Sequence, residues 1–390
     1  PAECRLDSVT KDVRGLDVEE FREQVRTFIE AEYDPTLVKG PFPQADTPRW
    51  SGFVRRLGLK GWLGISWPEE YGGLGLDSIY QMVLREELEY MGMPTLAKEL
   101  IVGKTLLRHG GEDVKATFLP RLLRGELTVA LGYSEPEAGS DLASLRLRAD
   151  PDGEEFVLNG QKMWTSGAHF ADVIWLACRT EVDAPKHEGI SIFLVDNPSP
   201  GIEVAPIWTM GGERTNMVFF TDVRVPASRL IGELNRGWSY IVEGLEDERL
   251  GGFPFGALQR DLDEFVAWAR HSAWADPGVR RSVADAAVAV EATRAHRLRA
   301  LEAISRGEVP SAVDASMMKV ALTERRQWMA DCVIDALGPA GLLDEQASDA
   351  PMDGRFELNW RCEVVSTIAG GANEVQRNII ARSHLGLPTL

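Results

Sequence analysis

Ile190–Ser191–Ile192–Phe193–Leu194–Val195 and Met217–Val218–Phe219–Phe220 are short apolar runs rich in branched and aromatic residues. Runs of this length, bounded by turn residues, predict strands. Phe156–Val157–Leu158 and Val173–Ile174–Trp175–Leu176–Ala177 read the same way. Asp152–Gly153 and Asn159–Gly160 are read as turns between them. Residues 126–235 are therefore expected to form a mainly β unit.

Working outward, both flanks are helical in pattern. On the N-terminal side, 1–125, Phe21, Val25, Phe28 and Ile29 recur at helical spacing behind Asp17, a candidate N-cap. The stretch Trp67–Pro68–Glu69–Glu70–Tyr71–Gly72–Gly73 interrupts that period and predicts a loop. Helical spacing returns from Asp77 to Met91 through Tyr80, Val83, Leu84 and Leu88. On the C-terminal side, 236–390, Asp261 to Ala275, Ser282 to Gly307 and Ala312 to Leu337 each carry an apolar stripe. A four-helix bundle is the natural home for helices of that length. The order helical, β, helical predicts an α+β chain of three parts. Its 390 residues exceed what one core usually supports.

Composition narrows the function. The formal net charge is −18, from 42 basic and 60 acidic residues. Such a balance argues against nucleic-acid or anionic-membrane partners, which need basic surfaces. Cys4, Cys178, Cys332 and Cys362 form no CxxC pair, and only six histidines are present, so neither a zinc site nor a disulfide framework is expected. No stretch has the apolar length of a signal core or a membrane span, and the expectation is a soluble cytoplasmic protein.

Four segments carry the chemistry. Leu131–Gly132–Tyr133–Ser134–Glu135–Pro136–Glu137–Ala138–Gly139–Ser140–Asp141 is small and polar, with backbone N–H groups and a hydroxyl to offer. Asn159–Gly160–Gln161–Lys162–Met163–Trp164–Thr165–Ser166 sets an indole before two hydroxyls. Asn235–Arg236–Gly237–Trp238 opens a helix through Ile241, Leu245, Glu248 and Gly252. Gly370–Gly371–Ala372–Asn373–Glu374–Val375–Gln376–Arg377–Asn378–Ile379–Ile380–Ala381–Arg382 sets a glycine turn before a helix. Each alone has an ordinary structural reading.

Together, and in this order, they resemble the acyl-CoA dehydrogenase family. The matching pieces are Ser134 to Asp141, Lys162 to Ser166, Phe219–Phe220–Thr221–Asp222–Val223–Arg224–Val225–Pro226 through Gly237–Trp238, and Gly371 to Arg382. The resemblance implies a helical N-terminal domain, a middle β-domain and a C-terminal four-helix bundle. It implies FAD between β-domain and bundle, an acyl-CoA substrate, an electron-transfer flavoprotein as acceptor, and a homo- or heterotetramer. It implies Leu131, Tyr133 and Ser134 at the polar edge of the flavin, Trp164 and Ser166 flanking the ring, and Ala372 and Glu374 as further cofactor contacts. Ser140, Arg249 and Gly370 are implied on the substrate side.

Removing the α-proton of a thioester needs a carboxylate within reach. The family usually carries it in a Y-E-G-T segment, but here Ala369–Gly370–Gly371–Ala372 puts a glycine at that position. Other members carry a glutamate directly before arginine on the first bundle helix, which here is Glu248–Arg249. Ile241, Leu245, Glu248 and Gly252 share one helical face, so Glu248 projects among apolar neighbours that would raise its pKa. Glu246 and Asp247 fall on other faces and are read as solvated. The pattern is most similar to the actinobacterial dehydrogenases of sterol side-chain breakdown, and Gly370–Gly371 would suit a wide or branched acyl group.

A second departure concerns the flavin diphosphate. The usual R-x-x-F-G segment is absent from Trp268–Ala269–Arg270–His271–Ser272–Ala273–Trp274–Ala275–Asp276–Pro277–Gly278, and Asp335–Ala336–Leu337–Gly338–Pro339 stands for Q-x-x-G-G. An aspartate near a pyrophosphate is repulsive. An α2β2 assembly, in which a related subunit grips the diphosphate, follows as an expectation. A flavin oxidase or monooxygenase on the same fold, or a heteromer subunit with an incomplete site, are the alternatives.

Overall fold

The computed structural model describes residues 13–34, 48–93, 97–251, 255–306, 308 and 311–388. Five helices lead: α1 (Val18–Glu32), α2 (Pro48–Leu59), α3 (Ser78–Tyr90), α4 (Ala97–His109) and α5 (Glu112–Leu123). Asp17 caps α1, accepting from the Glu19 and Glu20 amides while the Glu20 side chain accepts from the Asp17 amide. That reciprocal pair satisfies donors the helix start would otherwise leave open. Asp77 caps α3, its side chain accepting from the Ile79 amide at 2.9 Å. Between them, Trp67–Gly73 is a loop with one 3-10 turn at Glu69–Tyr71.

Seven strands follow: β1 (Val129–Gly132), β2 (Arg148–Asp152), β3 (Glu155–Lys162), β4 (Val173–Arg179), β5 (Ile190–Asp196), β6 (Ile202–Trp208) and β7 (Arg214–Pro226). β4 lies parallel to β1 and antiparallel to β5, and touches β2 where Arg179 meets Arg148. The β2–β3 hairpin, β3–β7 and β6–β7 pairs are antiparallel. β4 is buried along its whole length because both of its faces are covered. Val173, Trp175 and Ala177 enter one core, and Ile174, Leu176 and Cys178 enter the other. A strand covered on both sides reads as a continuous apolar run. Asp152–Gly153 is a hairpin turn as expected, but Asn159–Gly160 is not. Those two residues lie inside β3, where the register against β7 shifts between Leu158 and Gly160. Gly160 is required there because its φ is +142° and a Cβ would fall 2.9 Å from the Leu147 backbone. A glycine in a strand marks a bulge as readily as a turn.

The last part holds α6 (Gly237–Gly251), α7 (Phe255–Trp268), α8 (Pro277–Ser305), α9 (Ala312–Leu337), α10 (Arg355–Ser366) and α11 (Asn373–Ser383). α9 matches its expected bounds. α7 starts earlier than Asp261 and runs into a π-helical turn at Ala269–Ala273. α8 begins at Pro277, not Ser282, with the Asp276 carboxylate accepting from the Gly278 amide. Proline followed by glycine looks like a breaker, yet proline is at home in the first helical turn. Gly307, the expected end of that helix, lies outside the described residues, as does Gly252.

One core joins all three parts. Leu106 and Phe118 from the leading helices, Val129, Trp175 and Ile192 from the sheet, and Tyr240 and Ile241 from α6 pack as one cluster. The bundle also grips the N-terminal helices directly through α3 and α7. Gly256 sits at that crossing, where a Cβ would lie 2.1 Å from the Glu86 carbonyl oxygen. Gly256→Val is therefore expected to cost about 1–3 kcal/mol by overpacking, read as a lower denaturant midpoint. An unchanged midpoint would show that the helices do not meet this closely in solution.

Candidate functional site

The four motif segments converge where α4, the loop after β1, α6 and the turn before α11 meet. α6 is placed by its entry. Asn235 takes a left-handed φ of +65°. Its amide donates to the Ser191 hydroxyl at 2.8 Å, and its side-chain oxygen accepts from Thr180 at 2.6 Å. Gly237 follows because a Cβ would come within 2.9 Å of the Ile190 carbonyl oxygen. The helix thus starts flush against β5, which fixes where Glu248 emerges.

α4 runs antiparallel along α6. His109 stacks on Tyr240 with centroids 4.3 Å apart and bonds Glu243 at 2.7 Å. Arg108 bonds Asp247 at 2.8 Å, and Lys104 stands 3.7 Å from it. Gly244 allows the close approach, since a Cβ there would meet the Ile101 side chain at 3.3 Å. These contacts correct the expectation that Glu246 and Asp247 are solvated. Asp247 is engaged by two cations, and burial pushes the partly buried Glu246 carboxyl up in pKa. The Glu243 and Asp247 side of this helix is covered by α4 rather than by water.

Glu248 is partly buried. Desolvation pushes its carboxyl above the usual carboxylate range, and Arg249, Arg85, Lys98 and Lys319 pull against that shift. Its field also reaches the Tyr133 hydroxyl, whose pKa rises mainly through burial. Arg249 is buried and donates from Nε to the Gly370 carbonyl at 3.2 Å. The Gly370–Gly371 turn is held from the other side by Gln376, which donates to the Gly371 carbonyl at 3.1 Å and accepts from Ser316. Lys319, buried and lowered to about 8, donates to the Thr367 carbonyl and the Asn373 side chain. Gly370 and Gly371 have φ of +65° and +90°, so side chains there are strained.

The loop after β1 is held by a buried ion pair. Glu135 accepts from the Arg146 and Leu147 amides and from Lys162 Nζ at 2.8 Å. Lys162 also donates to the Tyr133 carbonyl at 3.0 Å, and Met163 N–H to the Ser134 carbonyl at 2.8 Å. The carbonyls of Tyr133 and Ser134 are thus taken by the protein. Among the described residues their amides and the Ser134 hydroxyl meet no protein acceptor. Trp164 lies alongside at φ +62° with its indole 53 % exposed. Asn216 clamps the next residue from both sides, accepting the Thr165 amide and donating to its carbonyl. Among the described residues the buried Thr165 hydroxyl meets no partner. Open amides, an orphaned hydroxyl and a presented indole suit the polar edge and face of a flavin ring.

Leu131 and Ala372 are partly buried, while Ser166, Ser140 and Glu374 are exposed. Ser166 bonds Thr215, and its carbonyl accepts from Lys98 at 2.7 Å. Ser140 stands apart on the turn where Asp141 holds Ser144 and Lys186. Sequence reasoning assigned no role to Lys98, Glu135, Lys162, Lys319 or Gln376. Glu135, Lys162 and Gln376 left a trace only as members of the quoted motif segments, while Lys98 and Lys319 lie in none of them.

Three sequence models, for the N-terminal, middle and C-terminal domains of acyl-CoA dehydrogenase, match residues 17–126, 130–223 and 235–385. Acyl-CoA dehydrogenase FadE29 of Mycobacterium tuberculosis is 40% identical, over 87% of this chain and 89% of its own. Acyl-CoA dehydrogenase FadE26 of the same organism is 34% identical, over 95% and 97%. Among solved structures, the Tcur3481-Tcur3483 steroid ACAD covers 96% of this chain and 98% of its own with a TM-score of 0.90 at 37% identity. The ChsE4-ChsE5 complex from Mycobacterium tuberculosis gives 98%, 100%, 0.88 and 33%.

The Glu135–Lys162 pair makes its own prediction. Lys162→Met strands a buried carboxylate and should cost about 3–5 kcal/mol. The double variant with Glu135→Gln should recover part of that loss in a denaturation cycle. Strict additivity would show that the two groups do not act as a pair.

Proposed function

The chain belongs to the acyl-CoA dehydrogenase family, and on that premise we propose that it desaturates a CoA thioester between its α and β carbons with Glu248 as the base. The family makes it an oxidoreductase. What supports the assignment is a carboxyl on α6 that burial raises and whose charge reaches the Tyr133 hydroxyl, next to Arg249, which bonds the Gly370 carbonyl. At Gly370 itself no side chain can take a proton. Matching a base's pKa to working pH is what burial of a carboxyl achieves.

FAD is the cofactor we assign, and when bound it supplies the acceptor for hydride leaving the β-carbon. Tyr133 and Ser134, with Leu131 behind them, would hold its polar edge through the open amides and hydroxyl. Trp164 and Ser166 would cover the ring, and Ala372 and Glu374 at the start of α11 would complete the contact. The chain's own residues then do two things. Glu248 takes the α-proton onto its carboxylate. The Gly370 and Gly371 amides, which meet no protein acceptor among the described residues, are available to polarise the thioester carbonyl. Arg249, spent on the Gly370 carbonyl, holds that turn and is assigned to the site's frame. Ser140 is left as a contact to the CoA chain.

The acyl group we propose is bulky, branched or steroid-derived. The side-chain-free turn at Gly370–Gly371 and the likeness to a steroid ACAD support this. An α2β2 assembly with a related subunit is the proposed state. The absence of an R-x-x-F-G pattern from Trp268–Gly278 supports it, as does the likeness to the ChsE4-ChsE5 complex. An electron-transfer flavoprotein is the proposed acceptor. Domain limits at 125/126 and 235/236 complete the reading.

The carboxylate must be ionised to accept a proton, and burial raises its pKa. The rate kcat/KM should therefore rise with pH through an acid limb above the usual carboxylate range. Glu248→Gln is expected to keep the flavin absorbance but lose roughly 10²–10⁴ in turnover, followed by anaerobic bleaching with a panel of CoA esters. Full bleaching in the variant would move the base elsewhere. Purification of the chain alone as a homotetramer with one FAD per subunit would overturn the α2β2 assignment.

A further inference from the structure

Lys98 belongs to none of the motif segments, yet the packing delivers it to the proposed base. The antiparallel register of α4 on α6 runs from His109 opposite Tyr240, through Ile101 opposite Gly244. One more turn on each helix brings Lys98 opposite Glu248. Lys98 also crosses to the β-domain, donating from Nζ to the Ser166 carbonyl at 2.7 Å. That is its one hydrogen bond among the described residues, from a group with three donors.

We propose that Lys98 is a positioning residue for the base: anchored on the Trp164–Gly167 loop, its ammonium faces the Glu248 carboxylate and holds it in the charged, proton-accepting form. The proposal rests on Glu248 being the base. Burial lowers the pKa of Lys98, opposed first by Glu99 and then by Glu248, and burial raises that of Glu248, opposed by Arg249, Arg85, Lys98 and Lys319. Other charges face Glu248 too. Arg249 lies on its own helix, Arg85 on α3 and Lys319 on α9, with the Tyr133 hydroxyl on the loop after β1. Each of these cations, like Lys98 on the Ser166 carbonyl, also has a protein acceptor: Glu89 for Arg85, the Gly370 carbonyl for Arg249, and the Thr367 carbonyl with Asn373 for Lys319. Lys98 also has Glu99 beside it, a carboxyl raised by its own burial.

The sign is fixed. Removing a cation from beside a carboxylate raises the carboxylate's pKa, so the acid limb of kcat/KM moves to higher pH. The test compares Lys98→Gln, which keeps a donor for the Ser166 carbonyl but loses the charge, with Lys98→Arg, which keeps both. It uses the flavin-loaded protein in whatever assembly it forms, with flavin content read by absorbance. Lys98→Gln is expected to move the acid limb up by about one unit at unchanged flavin content, and Lys98→Arg to restore it. Unmoved limbs in both variants, or equal displacement in both, would overturn the proposal, since a purely structural tie would not sort them by charge. Glu248→Gln serves as the separate control. A variant of Glu248 that still turns over would refute the base itself, whatever the lysine variants do.

Discussion

Everything at the site depends on one shared core. Leu106 of α4, Trp175 of β4 and Tyr240 and Ile241 of α6 are packed into a single apolar cluster. Burial of that surface fixes three chain segments against each other, at roughly 25 cal/mol for each Å² of apolar area removed from water. Without it, Lys98, Tyr133 and Glu248 would sit on separate bodies. With it, a carboxyl that costs free energy to desolvate is held in a partly buried position among several cations.

The polar contacts then trim a position the core has already chosen. Asn235 and Gly237 seat α6 on β5, and Arg108, His109 and Lys104 fix its rotation against α4. Lys162, itself held by Glu135, and the Met163 amide draw the Tyr133–Ser134 loop tight by donating to its carbonyls, which leaves its donor side open. Arg249 and Gln376 do the same for Gly370–Gly371. Both loops are held through their oxygens and present their amides. An anionic or carbonyl-bearing ligand edge is the complement of such a surface.

Local periodicity carried most of the fold. The capping box at Asp17, the strands β4 and β5, and the bounds of α9 follow from patterns within a single stretch of chain. The misreadings were also local. Asn159–Gly160 satisfies the hairpin-turn pattern, but pairing with β7 on both sides of it made a bulge. The helix expected from Ser282 starts at Pro277, because the Asp276 carboxylate accepts from the Gly278 amide and caps it. In each case a partner distant or adjacent in space overruled a local pattern.

The sequence by itself determined the three-part order, the family likeness and the replacement of a base by glycine at 370, because motif order and residue identity are one-dimensional properties. Through the family resemblance, which sets a glutamate before Arg249, it also marked Glu248 as an expectation, supported by helical spacing beside Ile241 and Leu245. Only the tertiary structure decided what surrounds that carboxyl. Lys98 is 150 positions away along the chain and Lys319 is 71 positions away in the other direction, and neither belongs to a pattern that names its partner. Electrostatic environment depends on distance and burial, and both are set by how helices cross, which no single segment encodes.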